Sequence, residues 1–199
     1  MKRLYNWYCR FYGGVEKQLG PNVDEILAKN IANIPGIKEK SVLEYACGTG
    51  MVTFRLAKFF RTVRARDASA GMLGYAKERA EKEGFNIDFQ EGNILELAEG
   101  PNSYDYVFVS LALHLFSPET EIQILKGLLK IAREAVIILD HGKRWRLKAA
   151  ITEWFEGGYY DQFIKTDFAA LAGKVGAQKF IEKQLSFESF DFSYLVFYK

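Results

Sequence analysis

The chain has 199 residues, 49% of them hydrophobic and 26% charged, with a net charge of +2. That length suits one domain with a substantial core, and the near-balanced charge excludes the strong field of a nucleic-acid or membrane-surface binder. No run of about 18 apolar residues occurs, so no membrane span is expected.

Two cysteines, Cys9 and Cys47, form no CxxC pair, and no histidines cluster at ligand spacing. Neither a disulfide framework nor a metal site is expected from this pattern. The N-terminal MKRLYNWYCRFYGG is aromatic, carries Arg10, and lacks the continuous apolar stretch of a signal peptide. The expectation is a soluble cytoplasmic protein.

In chain order, residues 2–20 and 22–33 read as two helices divided by Gly20-Pro21. SVLEYA (41–46) reads as a buried strand, and 48–60 as a helix with Val52, Leu56, Phe59 and Phe60 at helical spacing. RTVRARD (61–67) is a short strand. Residues 69–84 form a helix with Ser69 as N-cap and Gly84 just past its end. FNIDFQE (85–91) alternates like a strand, and YDYVFVSLAL (104–113) is an apolar one. SPETEIQILKGLLKIARE (117–134) is a helix capped by Ser117 with Pro118 first, and AVIILD (135–140) is a buried strand. The chain ends in two strands, 177–187 and 188–199, joined by a short turn. Strands alternating with helices give a mostly parallel α/β sheet covered on both faces, closed here by an antiparallel hairpin.

The stretch VLEYACGTG (42–50) ends a strand in a nearly side-chain-free turn. Ligands of open α/β sheets gather at the carboxyl ends of strands, and Gly48 and Gly50 let a ligand approach the main chain. Glu44 would repel a diphosphate and favour a ligand with ammonium or sulfonium charge. The dinucleotide pattern GxGxxG is incomplete, because Thr53 stands at its third glycine. Asp67 ends the second strand, where a carboxylate accepts ribose hydroxyls. EGNI (91–94) follows the third strand, where an Asn side chain and the Ile94 N–H suit an adenine edge. Adenine, ribose and a cationic amino-acid tail together describe S-adenosylmethionine.

These segments resemble the class I S-adenosylmethionine-dependent methyltransferases, in particular the small-molecule branch that includes ubiquinone/menaquinone-type enzymes. VLEYACGTG is similar to that family's first motif, ARDASAGML to its second, EGNI to its third and YDYVFVSLALHLF to its fourth. The resemblance covers 41–140 and extends to the terminal hairpin. It implies a Rossmann-like seven-stranded sheet whose last strand is antiparallel. It also implies that Glu44, Gly48 and Gly50 line the methionine and ribose side and that Asp67 holds the ribose. Ala68 and Met72 would then pack on adenine, Asn93 and Ile94 would read its edge, and Ser110 would sit near the methionine amino group. Ala46 replaces a frequent glycine and Asn93 a more usual Asp. The implied layout is a single domain, with a helical cover over 1–40, a cofactor-binding core over 41–140, a substrate-side cover over 141–175 and the hairpin over 176–199.

His114 and His141, the only histidines, follow strands on the ligand side. Each is either a loop histidine satisfied by hydrogen bonds or a general base, His114 being the first candidate and His141 the second. HGKRWRLK (141–148) is an anion-binding patch or a solvated helix face. Tyr5, Trp7, Tyr8, Phe11 and Tyr12 form a lid or a packing face, with Tyr12 the candidate cofactor contact. EWFEGGYYDQF (153–163) is the candidate substrate-side loop.

The expected reaction is methyl transfer to a small molecule. Methylation of RNA or protein is the close alternative, and a non-catalytic S-adenosylmethionine-binding protein another. A nicotinamide oxidoreductase is a distant third. The N-terminal aromatics permit a homodimer, and no nucleic-acid partner is expected.

Overall fold

A computed structural model describes residues 12–146, 158–188 and 190–199. The chain forms two compact units, Met1–Ala98 and Glu99–Lys199, and seven strands in the order β3-β2-β1-β4-β5-β7-β6.

In the first unit, helix α1 (Tyr12–Asn30) precedes strand β1 (Ser41–Tyr45), the short helix α2 (Thr53–Leu56) and strand β2 (Thr62–Asp67). Helix α3 (Ala70–Glu83) and strand β3 (Asp88–Glu91) complete it. β1 pairs parallel with β2, Ser41 opposite Thr62, and β2 pairs parallel with β3, Asp67 opposite Glu91. Under these strands Phe54, Ala65, Leu73, Ala76 and Phe89 form one apolar cluster.

In the second unit, strand β4 (Tyr104–Ser110) is followed by a 3₁₀ turn (Leu113–Leu115), helix α4 (Pro118–Ile131) and strand β5 (Ala132–His141). Helices α5 (Tyr160–Phe163) and α6 (Phe168–Val175) lead to strands β6 (Lys179–Ser186) and β7 (Asp191–Tyr198). β4 and β5 run parallel, whereas β7 is antiparallel to both β5 and β6. β7 is buried along almost its whole length. β6 carries Lys179, Lys183 and Gln184 at exposed positions, which blunts an edge strand.

The helix ends follow local chemistry. Ser69 accepts the Met72 N–H at 3.3 Å and Gly84 closes α3 in the left-handed region; Ser117 caps α4 with Pro118 at its first turn.

Three expectations change. The described part of the N-terminal pair is one helix running through Pro21. Pro in a helix interior costs about 3 kcal/mol, and here both flanks are anchored. Leu19, Val23, Ile26 and Leu27 are buried, and Glu16 and Asp24 both reach Arg55, at 3.1 and 3.2 Å. The helix expected over 48–60 shrinks to α2, because Gly48 and Gly50 carry the chain through left-handed turns first. Helix α4 stops at Ile131, since Ala132 already pairs with Tyr104 and the next residues belong to β5. The Glu134 carboxylate there accepts the Tyr106 hydroxyl at 2.6 Å.

Candidate functional site

In the first unit, three strand ends converge on Asp67. Its Oδ2 accepts the Gly48 N–H and its Oδ1 the Ser69 N–H, both at 2.8 Å. Its main-chain carbonyl accepts the Gly92 N–H at 3.0 Å, which fastens the segment after β3, and Cys47 N–H donates to the Arg66 carbonyl at 3.1 Å. Each Asp67 oxygen therefore holds one backbone donor, and a carboxylate has about four acceptor positions in all. Burial pushes the Asp67 carboxyl above its ordinary value, against the two hydrogen bonds that pull it down.

The turn has the bareness that its sequence promised, for two different reasons. Gly50 lies at φ 85°, and a Cβ there would stand 2.7 Å from the Phe54 ring. Gly48 lies at φ 55°, and a Cβ there would meet nothing within 4 Å, so its face opens on space. Ala46 shares the left-handed region at φ 55°, a conformation that costs a side-chain-bearing residue about 1–2 kcal/mol. A glycine there would adopt the same turn without that cost.

Glu44 is fully buried, and Oε2 accepts the Thr53 hydroxyl at 2.5 Å. Thr53 thus does more than fill the place of a glycine, since it ties α2 to the strand. Cys47 is buried; burial first, then the Glu44 and Asp67 charges, push its thiol well up, so it remains a thiol rather than a nucleophile.

The adenine-side candidates divide. Ala68 is half-buried after β2. Met72 and Ile94 are buried. The Asn93 side-chain oxygen accepts the Leu95 N–H at 3.1 Å, so part of the amide shapes its own turn. Tyr12 opens α1, but its side chain lies outside the described residues, as do Tyr5, Trp7, Tyr8 and Phe11.

The second unit brings both histidines together with an acid that sequence reading left as the end of a strand. Asp140 accepts four N–H groups: Leu113 at 2.9 Å and His114 at 3.4 Å on Oδ2, and His141 at 2.7 Å and His114 Nδ1 at 2.5 Å on Oδ1. All three residues are buried, Asp140 completely. Burial alone would raise the Asp140 carboxyl; the His114 charge and hydrogen bond, with His141, outweigh it and hold the group below its ordinary value. The rings of His114 and His141 meet edge to face at 4.5 Å, and Tyr160 and Phe190 flank His141.

The donor atoms of His114, Asp140 and His141 lie within 4.8 Å of one another, so the fold creates a histidine–carboxylate cluster that chain spacing concealed. Its chemistry favours a proton over a metal, because N–H donors already occupy all of the carboxylate's acceptor positions. The signal available in sequence was the adjacent Asp-His pair at a strand end.

The segment from Gly158 lies over this cluster. Tyr159 N–H donates to the His114 carbonyl at 2.8 Å, and a Cβ on Gly158 would stand 3.2 Å from that oxygen. Residues 153–157 of the expected substrate-side loop, like 147–148 of the basic run, lie outside the described residues.

Two cations of the basic run serve structure. Arg146 holds Asp191 with two bonds, at 2.6 and 3.1 Å, and donates to the Phe187 and Glu188 carbonyls; Lys143 pairs with Glu182 at 2.8 Å. An arginine with these partners fastens the hairpin instead of gathering anions. Ser110, partly buried, closes β4 opposite Leu139, and Leu111 follows at φ 47°.

Residues 42–135 match the family described as a methyltransferase domain. An uncharacterised methyltransferase of Synechocystis is 30% identical over 155 residues, covering 74% of this chain and 70% of that protein. The ubiquinone biosynthesis O-methyltransferase of Coxiella burnetii is 28% identical over 109 residues, and the match covers 54% of this chain and 47% of the relative. Among solved structures, the magnesium protoporphyrin IX methyltransferase of Synechocystis with bound SAH superposes with a TM-score of 0.69 at 19% identity, covering 90% of this chain and 83% of that one. A SAM-dependent methyltransferase from Aquifex aeolicus gives 0.66 at 21% identity, over 87% and 89%.

Proposed function

The chain belongs to the class I S-adenosylmethionine-dependent methyltransferases, and from that premise we propose that it methylates a small-molecule acceptor. One observation carries the cofactor half of this reading: the two oxygens of Asp67 each hold one backbone N–H beside a glycine whose Cβ position opens on space. Such a carboxylate is fixed in direction yet retains acceptor positions for a pair of ribose hydroxyls. Gly48 and Gly50 keep the main chain approachable, and Glu44 supplies the negative charge that a sulfonium or ammonium group favours. Ala68, Met72, Asn93, Ile94, Ser110 and Tyr12 complete the proposed cofactor set.

When bound, the cofactor supplies an electrophilic methyl carbon on an excellent leaving group. The chain's own task is alignment and exclusion of water, which supplies much of the rate in such transfers. His114 and His141 are the proposed acceptors of a proton where the substrate has one to lose.

A small acceptor is supported by a relative named for ubiquinone biosynthesis, by a structural neighbour named for magnesium protoporphyrin IX, and by the balanced charge, which disfavours a nucleic-acid partner. No helix among the described residues is long and apolar enough to cross a membrane. The buried, unreactive Cys47 fits the proposed cytoplasmic setting.

Calorimetric titration with S-adenosylhomocysteine tests the reading. Micromolar-range binding that Asp67→Asn weakens by about 1–3 kcal/mol is expected. A wild-type protein that takes up no S-adenosylhomocysteine would sink it.

A further inference from the structure

We propose that Glu16 of α1 is a positioning residue for the cofactor loop. Its single carboxylate clasps the two arginines that brace the turn at 48–52, so that docking of α1 and binding of the cofactor strengthen each other. This deepens, and rests on, the methyl-transfer reading.

The first brace is Arg55 on α2. Its Nη1 donates to the carbonyl of Met51, the residue after Gly50, at 2.6 Å and to Glu16 Oε1 at 3.1 Å. The second is Arg79 on α3, whose Nη1 donates to Glu16 Oε2 at 2.7 Å. The Arg79 guanidinium also lies 4.3 Å from the centre of the Phe54 ring, where a cation holds an aromatic face. That ring is the one that leaves no room for a Cβ at Gly50, and the Phe54 N–H closes the turn on the Gly50 carbonyl at 3.0 Å. Each oxygen of Glu16 is thus engaged by a different brace of the same turn.

The clasp is shielded. The side chains of Glu16, Arg55 and Arg79 are 21%, 12% and 24% exposed, so water and salt weaken these pairs less than pairs on an open surface. α1 comes this close because residue 20 is a glycine: a Cβ there would stand 2.5 Å from the Arg55 guanidinium. Residues joined in one ion-pair network do not act independently. A turn held in one shape presents both arginines to Glu16, and by linkage a ligand that fixes the turn also tightens α1. Glu16 needs to touch no atom of the cofactor for this.

The test combines calorimetric titration with S-adenosylhomocysteine and hydrogen exchange read by mass spectrometry. Glu16→Gln keeps the shape of the side chain but leaves one acceptor oxygen, which cannot serve both arginines. It is expected to weaken S-adenosylhomocysteine binding by about fivefold or more and to speed exchange at residues 50–56, with β4 and β5 unchanged. Glu25→Gln, which breaks the exposed pair between Glu25 and Lys29 on the same helix, is expected to leave the affinity as it is. In the wild type, S-adenosylhomocysteine is expected to slow exchange at residues 22–29 of α1, two turns or more beyond Tyr12.

An affinity that Glu16→Gln leaves unchanged would overturn the inference. So would faster exchange spread evenly through both units, which marks a residue that only stabilises the fold. Exchange in α1 that S-adenosylhomocysteine does not alter would overturn it from the wild type alone, even where Glu16→Gln fails to fold. A wild type that takes up no S-adenosylhomocysteine would instead strike the methyl-transfer reading.

Discussion

The loops after β1 and β4 use the same device to opposite ends. In each, a carboxylate on the neighbouring strand gathers backbone N–H groups from a loop that leaves its own strand through a left-handed, side-chain-bearing residue. Ala46 and Asp67 do this in the first unit, Leu111 and Asp140 in the second. Asp67 holds two donors, is partly open, and is raised by burial. Asp140 holds four, is sealed, and is lowered by the histidine it orients. An acid with acceptor positions remaining suits a ligand, whereas a saturated one locks protein groups in place. The number of donors, more than the residue type, separates binding from positioning.

The comparison breaks most visibly at the saturated acid. Asp140→Ala strands buried donors and a buried histidine, and is expected to cost about 3–5 kcal/mol in denaturant unfolding. Asp67→Ala, which releases two partly buried donors and strands no histidine, is expected to cost less than half of that. Equal losses would remove the distinction drawn between the two carboxylates.

The two glycines of the first loop come next. Gly50→Ala adds a clash with Phe54 to left-handed strain and is expected to destabilise by about 2–4 kcal/mol. Gly48→Ala carries the strain alone, about 1–2 kcal/mol, yet it is expected to weaken S-adenosylhomocysteine binding at least tenfold by filling the open face. Unchanged affinity would mean that the cofactor does not rest there.

Charge around the second loop gives a pH-dependent prediction of similar size. Burial first, and the Asp140 charge second, push the Glu121 carboxyl from about 4.5 up to about 7. The folded protein thus binds that proton more tightly than the unfolded chain, and stability falls as pH rises through this interval. Glu121→Gln is expected to be more stable than the wild type by about 2 kcal/mol above pH 7, and to converge with it near pH 4. Thermal melts across that range would show it.

At the first loop, cofactor affinity is expected to fall on acidification as Asp67 protonates, starting above the ordinary Asp range because its value is raised. The smallest effect is at Ala46, where Ala46→Gly relieves left-handed strain, is partly offset by backbone entropy, and is expected to gain at most about 1 kcal/mol.

Much of the first unit was legible because its signals are local. Ser69 and Gly84 bound a helix through their own conformational preferences, and a strand followed by Gly48 and Gly50 announces a bare turn wherever it occurs. Asp67, Glu44 and the glycines stand out as candidates this way, and the family resemblance follows from their order. Pro21 misled for the same reason. A local rule ends a helix there, and tertiary anchoring overrides it: residues buried on both flanks, and Arg55, held by carboxylates on both sides of the proline.

Sequence by itself therefore determined the alternation of elements, the parallel sheet with its closing hairpin, and the family, since these rest on periodicity and on short motifs within single turns. Tertiary structure alone decided the rest. It set an acid 26 residues distant in sequence against the His114 ring, and it turned Arg146 from a candidate anion ligand into the fastener of a hairpin. Hydrogen-bond saturation belongs to a place and not to a residue: whether a carboxylate keeps an acceptor position depends on which backbone N–H groups the fold brings to it, and no local pattern in the chain encodes that.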